Sequence, residues 1–177
     1  MLLASAICSC SEKQPETSEP MITKTEIQVE NGLLTPEIMH RLGKVGDVQV
    51  SPNHAKILYG VTYTSIEQNK GNRELYLMNV DGSENVKITN TPKSESNARW
   101  INDSQIIYMR SGKLYTATIE GSTLKNETEV AGAEGMESFE LSPAGDKLMF
   151  IKSVKAAQKP TDVYADLDKS SGRTYTD

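Results

Sequence analysis

A repeat constrains this chain more than any other feature of its sequence. Val50-Ser51-Pro52-Asn53-His54-Ala55-Lys56-Ile57-Leu58-Tyr59 is matched by Leu141-Ser142-Pro143-Ala144-Gly145-Asp146-Lys147-Leu148-Met149-Phe150. Between them lies a looser copy, Trp100-Ile101-Asn102-Asp103-Ser104-Gln105-Ile106-Ile107-Tyr108. The closing aromatics Tyr59, Tyr108 and Phe150 are 49 and then 42 residues apart. A second motif follows the first two copies. Leu75-Tyr76-Leu77-Met78-Asn79-Val80-Asp81-Gly82-Ser83 matches Leu114-Tyr115-Thr116-Ala117-Thr118-Ile119-Glu120-Gly121-Ser122. Two motif sets recurring in one order, at a period of about 40–50 residues, are the signature of stacked multi-stranded units such as propeller blades.

The spacing predicts an all-β fold, a partial β-propeller of about three four-stranded antiparallel blades over residues 34–177. The first blade, about 45–90, takes strands at 45–50, 57–64, 74–80 and 86–90. The second, about 97–131, takes 97–101, 105–110, 113–119 and 126–131. The third, about 137–177, takes 137–141, 147–153, 162–167 and 173–176. The turns have physical causes. Proline presets the backbone angle at the second position of a type I turn, which suits Ser51-Pro52 and Ser142-Pro143. Asp81-Gly82 and Glu120-Gly121 supply the positive φ of a tight hairpin. Leu75 to Met78 and Leu148 to Ile151 are apolar on both faces, as strands sandwiched between neighbours require. Val86-Lys87-Ile88-Thr89 alternates, as a strand with one wet face does.

A short helix is expected just before the repeats, in Leu34-Thr35-Pro36-Glu37-Ile38-Met39-His40-Arg41-Leu42-Gly43. Thr35 suits the N-cap and Pro36 the first helical position. Leu34 would staple onto Met39, and Gly43 would supply a left-handed stop. Residues 11–33 read as a polar linker, with Met21, Ile22, Ile27 and Val29 offering at most a short strand. The first ten residues run Met1 to Cys10 through small and apolar side chains and stop at a cysteine. This resembles a bacterial lipoprotein signal, with Ser9-Cys10 fitting the pattern better than Ile7-Cys8. The resemblance implies lipid attachment at Cys10 and a place in the periplasm or cell envelope. The plainer alternative is a polar N-terminus with two incidental cysteines, since no Lys or Arg precedes Cys10 and Leu2 to Ile7 is a short apolar run.

Charge and composition close several routes. The net charge is -5 and the isoelectric point near 5.2. That argues against nucleic-acid binding, which calls for a surplus of Lys and Arg. Two Cys and two His are too few for a Cys/His zinc centre or a disulfide scaffold. No apolar run approaches the ~20 residues of a membrane-spanning helix. No phosphate-cradling glycine loop is present.

Ser-Pro-x-x-x-Lys before an apolar strand, then Leu-Tyr-x-x-x-x-Asp-Gly-Ser, resembles the propeller repeats of TolB-like proteins and the prolyl oligopeptidase family. Leu34-Thr35-Pro36-Glu37, Val48-Gln49-Val50-Ser51-Pro52, Arg73-Glu74-Leu75-Tyr76 and the stretch Thr161 to Arg173 extend the likeness. Together they are similar to the N-terminal propeller portion of serine peptidases of the bacterial dipeptidyl-peptidase 5 and acylaminoacyl-peptidase type. The resemblance implies a secreted or lipid-anchored serine exopeptidase whose propeller gates and orients short peptides. Its partners would be those peptides and its own C-terminal α/β-hydrolase domain, with no cofactor and with the membrane reached only through a lipid anchor. About three blades stand here where a closed propeller needs about four to eight, and the hydrolase portion is expected outside this chain. The alternative function is a non-catalytic propeller module that binds a protein or glycan at the cell envelope.

The catalytic set of such a peptidase is not legible in this chain. A nucleophile elbow needs Gly-x-Ser-x-Gly. Gly82-Ser83 and Gly121-Ser122 lack the second glycine and sit in hairpin turns. His40 falls on the short helix and His54 at a turn tip, each without a serine partner in its surroundings. No catalytic, cofactor or metal residue is therefore assigned, and this chain alone is expected to be inactive. Glu134, Glu137, Glu140, Asp146, Asp162, Asp166 and Asp168 read as a solvated acidic surface. The last three lack the later Gly and Glu of a calcium loop.

Overall fold

A computed structural model describes residues 21–154. The strands expected at 162–167 and 173–176 and the cysteine at position 10 lie outside the described residues. Residues 21–29 form no strand. The helix α1 (Pro36–Arg41) begins as the capping residues dictate, with Thr35 Oγ1 accepting the Ile38 N–H at 3.4 Å. Its end corrects the expectation. Leu42 leaves the helix in an extended conformation, φ -65 and ψ 134, and Gly43 is not left-handed. Gly43 serves close approach instead. A Cβ there would stand 2.8 Å from Val61 Cγ1 and 2.9 Å from Tyr63 Cε1. Leu34 and Met39 are both exposed, so no buried staple forms between them.

All else is antiparallel sheet. The first sheet joins β1 (Lys44–Val50), β2 (Lys56–Ser65), β3 (Lys70–Asn79) and β4 (Val86–Lys87) in chain order. The second joins β5 (Glu95–Trp100), β6 (Gln105–Arg110), β7 (Lys113–Glu120) and β8 (Thr123–Glu129) in the same order. A third pairs β9 (Ser138–Leu141) with β10 (Leu148–Ile151).

The repeat is reproduced bond for bond. Ser51 and Ser142 each open a turn closed by a backbone bond from three residues on, His54 N–H to Ser51 O and Gly145 N–H to Ser142 O, both at 2.8 Å. Each serine hydroxyl accepts the N–H five residues later, from Lys56 at 2.9 Å and Lys147 at 3.1 Å. The middle copy has lost Ser-Pro and replaces it chemically. Asn102 Oδ1 accepts the Ser104 and Gln105 N–H groups at 3.0 and 2.9 Å. Gly82 and Gly121 hold the expected positive φ, 85 and 61. The aromatic positions face one another across strands. Tyr59 pairs with Tyr76 and Tyr108 with Tyr115, their rings stacked at 5.5 and 6.0 Å between centroids.

Several strand boundaries moved, β3 starting at Lys70 and β10 ending at Ile151, and two of the shifts have identifiable reasons. β4 stops at Lys87 because the Thr89 hydroxyl, not its backbone, accepts the Leu75 N–H at 2.8 Å. β8 starts at Thr123, which pairs with Glu120 across the two-residue turn Gly121-Ser122. It then bulges near Asn126, whose φ is 51.

Packing follows the strand alternation. Leu58, Leu75 and Leu77 of the first sheet meet Ala98, Ile106, Tyr108, Ala117 and Ile119 of the second. The opposite face of β6 and β7, Ile107, Met109 and Leu114, packs with Ala133, Met136 and Phe139. The second sheet is thus covered on both sides, as a middle layer must be. β10 departs from that pattern. Among the described residues it pairs only with β9, and Met149, Phe150 and Ile151 are exposed. The expected burial of that strand on both faces is therefore not found within residues 21–154.

Candidate functional site

The polar groups of the molecule gather at the joints between sheets. The first strands β1, β5 and β9 adjoin. β1 and β5 each carry a bulge at matching places, around Asp47 and Asn97, both with φ of 51. Positive φ is uncommon outside glycine, and Asn and Asp tolerate it best. The bulges turn these side chains toward the neighbouring sheets. Asn97 N–H donates to Asp47 Oδ2 at 3.2 Å, and Asn97 Nδ2 donates to the Phe139 carbonyl at 2.7 Å. One residue thereby ties three sheets. Asp47 also meets Arg73 of β3 at 2.9 Å. That guanidinium lies over Gly60, where a Cβ would come within 2.3 Å of Arg73 Nε.

The second joint is deeper and holds two carboxylates. Asn72 and Glu74 project from β3 on the face opposite Leu75, and both are buried. Glu95 opens β5 and is fully buried. Glu74 collects donors from one side: Thr89 Oγ1 at 2.7 Å, the Thr91 N–H at 3.1 Å and Asn72 Nδ2 at 3.2 Å. Glu95 Oε1 lies 2.7 Å from Thr91 Oγ1 and 3.6 Å from Arg110 Nη1. Glu95 Oε2 is buried and has no hydrogen-bond partner among the described residues. Arg110 of β6 is committed elsewhere, in a tight pair with Glu127 of β8, which also accepts the Tyr108 hydroxyl. The same guanidinium lies over the Tyr115 ring, 4.3 Å from its centroid.

The charges explain the titration of these groups. Burial and the nearby Glu74 charge, partly offset by Thr91, Thr89 and Arg110, push the Glu95 carboxyl up to about 7. Burial and the bond to Glu127 push the Tyr108 hydroxyl upward. An open cleft beside this joint is lined by Ile88, Thr89, Thr91, Arg110, Leu124 and Glu127.

The residues weighed from sequence fall mostly elsewhere. His40 is exposed on α1, and His54 is exposed in a turn with φ of 59. Glu134, Glu137, Glu140 and Asp146 are exposed, as a solvated acidic surface requires. Glu140 pairs with Arg99 at 3.1 Å, and Asp146 accepts the Ser142 hydroxyl at 2.7 Å. Asp162, Asp166 and Asp168 lie outside the described residues. The carboxylates that sequence reasoning missed are Asp47, Glu74, Glu95 and Glu127. One signal was available for Glu74: it directly precedes the apolar run Leu75 to Met78 within one strand, where a charge calls for a partner.

Comparison with known proteins adds what geometry leaves open. No protein-family model matches the chain. It is 32% identical over 147 residues, 81% of its length, to dipeptidyl-peptidase 5 of Porphyromonas gingivalis. It is 29% identical over 158 residues, 86% of its length, to dipeptidyl-peptidase 5 of Porphyromonas endodontalis. The chain spans 22% and 23% of those two proteins. The similarity relates this chain, through one segment of about a fifth of their length, to a dipeptidyl-peptidase family.

Proposed function

We propose that this chain is the N-terminal propeller portion of a serine exopeptidase, a segment that gates and orients short peptides for a hydrolase domain carried outside it. The observation that carries the reading is the 32% identity to dipeptidyl-peptidase 5 along 81% of the chain. Two repeated four-stranded sheets stacked in chain order, with their first strands adjoining, support a blade arrangement. The edge of β10 that is unpaired among the described residues supports further strands on that side, because an apolar edge is a template for pairing. A propeller over an active site admits unfolded or short peptides and excludes folded proteins.

Peptide hydrolysis needs a nucleophile, a base and oxyanion donors around one carbonyl. The 177-residue chain has no elbow motif. Incubated with dipeptide-linked chromogens, it should release no product, while a longer product of the same reading frame that carries a hydrolase domain should release it and be blocked by a serine-directed inhibitor. Inhibitor-sensitive turnover by the 177-residue chain would overturn the reading. An inactive extended protein would favour a binding module.

Cys10 is the proposed lipid attachment point, with the polar residues after it as tether and the periplasmic face of a membrane as the location. Mass spectrometry of the native membrane fraction should find an N-terminal acylated Cys10. An unmodified peptide running through Ser9, Cys10 and Ser11 in the mature protein would refute it.

A further inference from the structure

The joint between the first and second sheets contains one hydrogen too few for its contacts. The Thr91 hydroxyl lies 2.6 Å from the Lys93 carbonyl and 2.7 Å from Glu95 Oε1. It also accepts the Lys93 N–H at 3.2 Å. A hydroxyl has one hydrogen to give. The Lys93 carbonyl and an ionised Glu95 would both only accept, so one hydrogen cannot satisfy both. Given to the Lys93 carbonyl, at the shorter distance, it leaves two bare acceptors facing each other at 2.7 Å unless Glu95 brings its own proton.

The surroundings point the same way. Glu95 is fully buried and one of its oxygens has no partner among the described residues. From β3 it faces Glu74, which accepts three hydrogen bonds of its own. From β6 it faces Arg110, at 3.6 Å and already bonded to Glu127 of β8. Tyr108 of β6 and Tyr115 of β7 flank that guanidinium, and the hydroxyl of Tyr108 is taken by Glu127. Among the described residues, Arg110 is the cation beside Glu95, and it is already paired with Glu127, so a second buried negative charge beside Glu74 is poorly compensated.

We propose that Glu95 is held as the neutral carboxylic acid, donating to Thr91, and that its ionisation loosens the joint between the two four-stranded sheets. In the neutral form the acid completes a path from Glu74 through Thr91 to Glu95, linking residues of both sheets. In the ionised form Glu74 and Glu95 repel, and Arg110 must be shared, with Nη2 held by Glu127 and Nη1 3.6 Å from Glu95. The joint thus tightens on acidification and slackens as pH rises through neutrality.

The sign follows from linkage. The folded chain holds the Glu95 proton more tightly than the unfolded chain does. The stabilisation is full below the ordinary value of 4.5 and is lost as pH rises to about 7. Within that window each pH unit lowers the folding constant by up to about tenfold.

The test is urea unfolding of the full chain, followed by the fluorescence of Trp100, the single tryptophan, whose indole N–H donates to the Gln49 carbonyl across the same pair of sheets at 3.3 Å. Wild type and Glu95→Gln are compared across the window. The glutamine amide mimics the neutral acid and cannot ionise. The expected result is a wild-type stability that falls with rising pH relative to the variant and runs parallel to it above about pH 7. Parallel curves throughout would overturn the proposal. Infrared difference spectra of the wild type need no variant. A carboxylic-acid carbonyl band should persist at about pH 6, where ordinary carboxyl groups have ionised, and its absence would also overturn the proposal.

Discussion

Replacing Tyr108 by alanine should destabilise the chain by about 3–5 kcal/mol, the range for removing a buried aromatic ring. The ring is fully buried where Leu58, Leu75 and Leu77 of the first sheet meet the second. It also stacks on Tyr115. Tyr108→Phe separates the ring from its hydroxyl. It should cost only about 1 kcal/mol, because Glu127 keeps Arg110 as a partner. Urea unfolding read through Trp100 measures both. An alanine variant within about 1 kcal/mol of wild type would mean that the two sheets do not share this core.

Glu74→Ala should cost a comparable amount for a different reason. The side chain is buried and accepts from Thr89 Oγ1, the Thr91 N–H and Asn72 Nδ2. Asn72 keeps a second acceptor in the Thr91 carbonyl at 2.9 Å, so two donors lose their partner. At about 1–3 kcal/mol for each unsatisfied buried group, the loss is about 2–6 kcal/mol. Glu74→Gln should cost less, because it retains an acceptor oxygen and the Thr89 hydroxyl can rotate. The Glu74 charge also raises the Glu95 carboxyl, so either variant should move Glu95 ionisation to lower pH. Equilibrium unfolding across pH reads both effects together. A variant within about 0.5 kcal/mol of wild type would place Glu74 among ordinary surface residues and contradict its burial.

The strands were legible because the repeat marks them twice. Ser51-Pro52 and Ser142-Pro143 open matching turns, and the glycines after Asp81 and Glu120 close matching hairpins. Apolar alternation then located β2, β3, β6 and β7 to within a few residues. The bulges were not legible. Nothing local distinguishes Asp47 or Asn97 from any polar strand residue, and their left-handed conformation is stabilised by groups that arrive from other sheets. Gly43 looked like a helix stop because glycine commonly ends helices, yet here the space beside Val61 and Tyr63 decides it. The buried carboxylates escaped notice for a related reason. A charge count treats Glu74 and Glu95 as surface until the second sheet covers them, and burial comes from neighbours about twenty residues away in sequence. The peptidase relationship was carried by motifs, not by a site, and no described cluster of side chains identifies it.

The stacking order has a consequence for how the chain comes to be folded. Each sheet is built from consecutive strands and rests on the sheet that precedes it in sequence. Contacts of this nearest-neighbour kind let structure propagate unit by unit from one end. As the chain emerges N-terminus first, the first sheet is complete once residue 87 is free, and the second can dock on its Leu58–Leu75–Leu77 face as it follows. Each newly emerged sheet finds its template already formed. Among the described sheets, the packing face awaiting cover at any moment is the leading one, so its exposure to wrong partners stays brief and confined to the growing end.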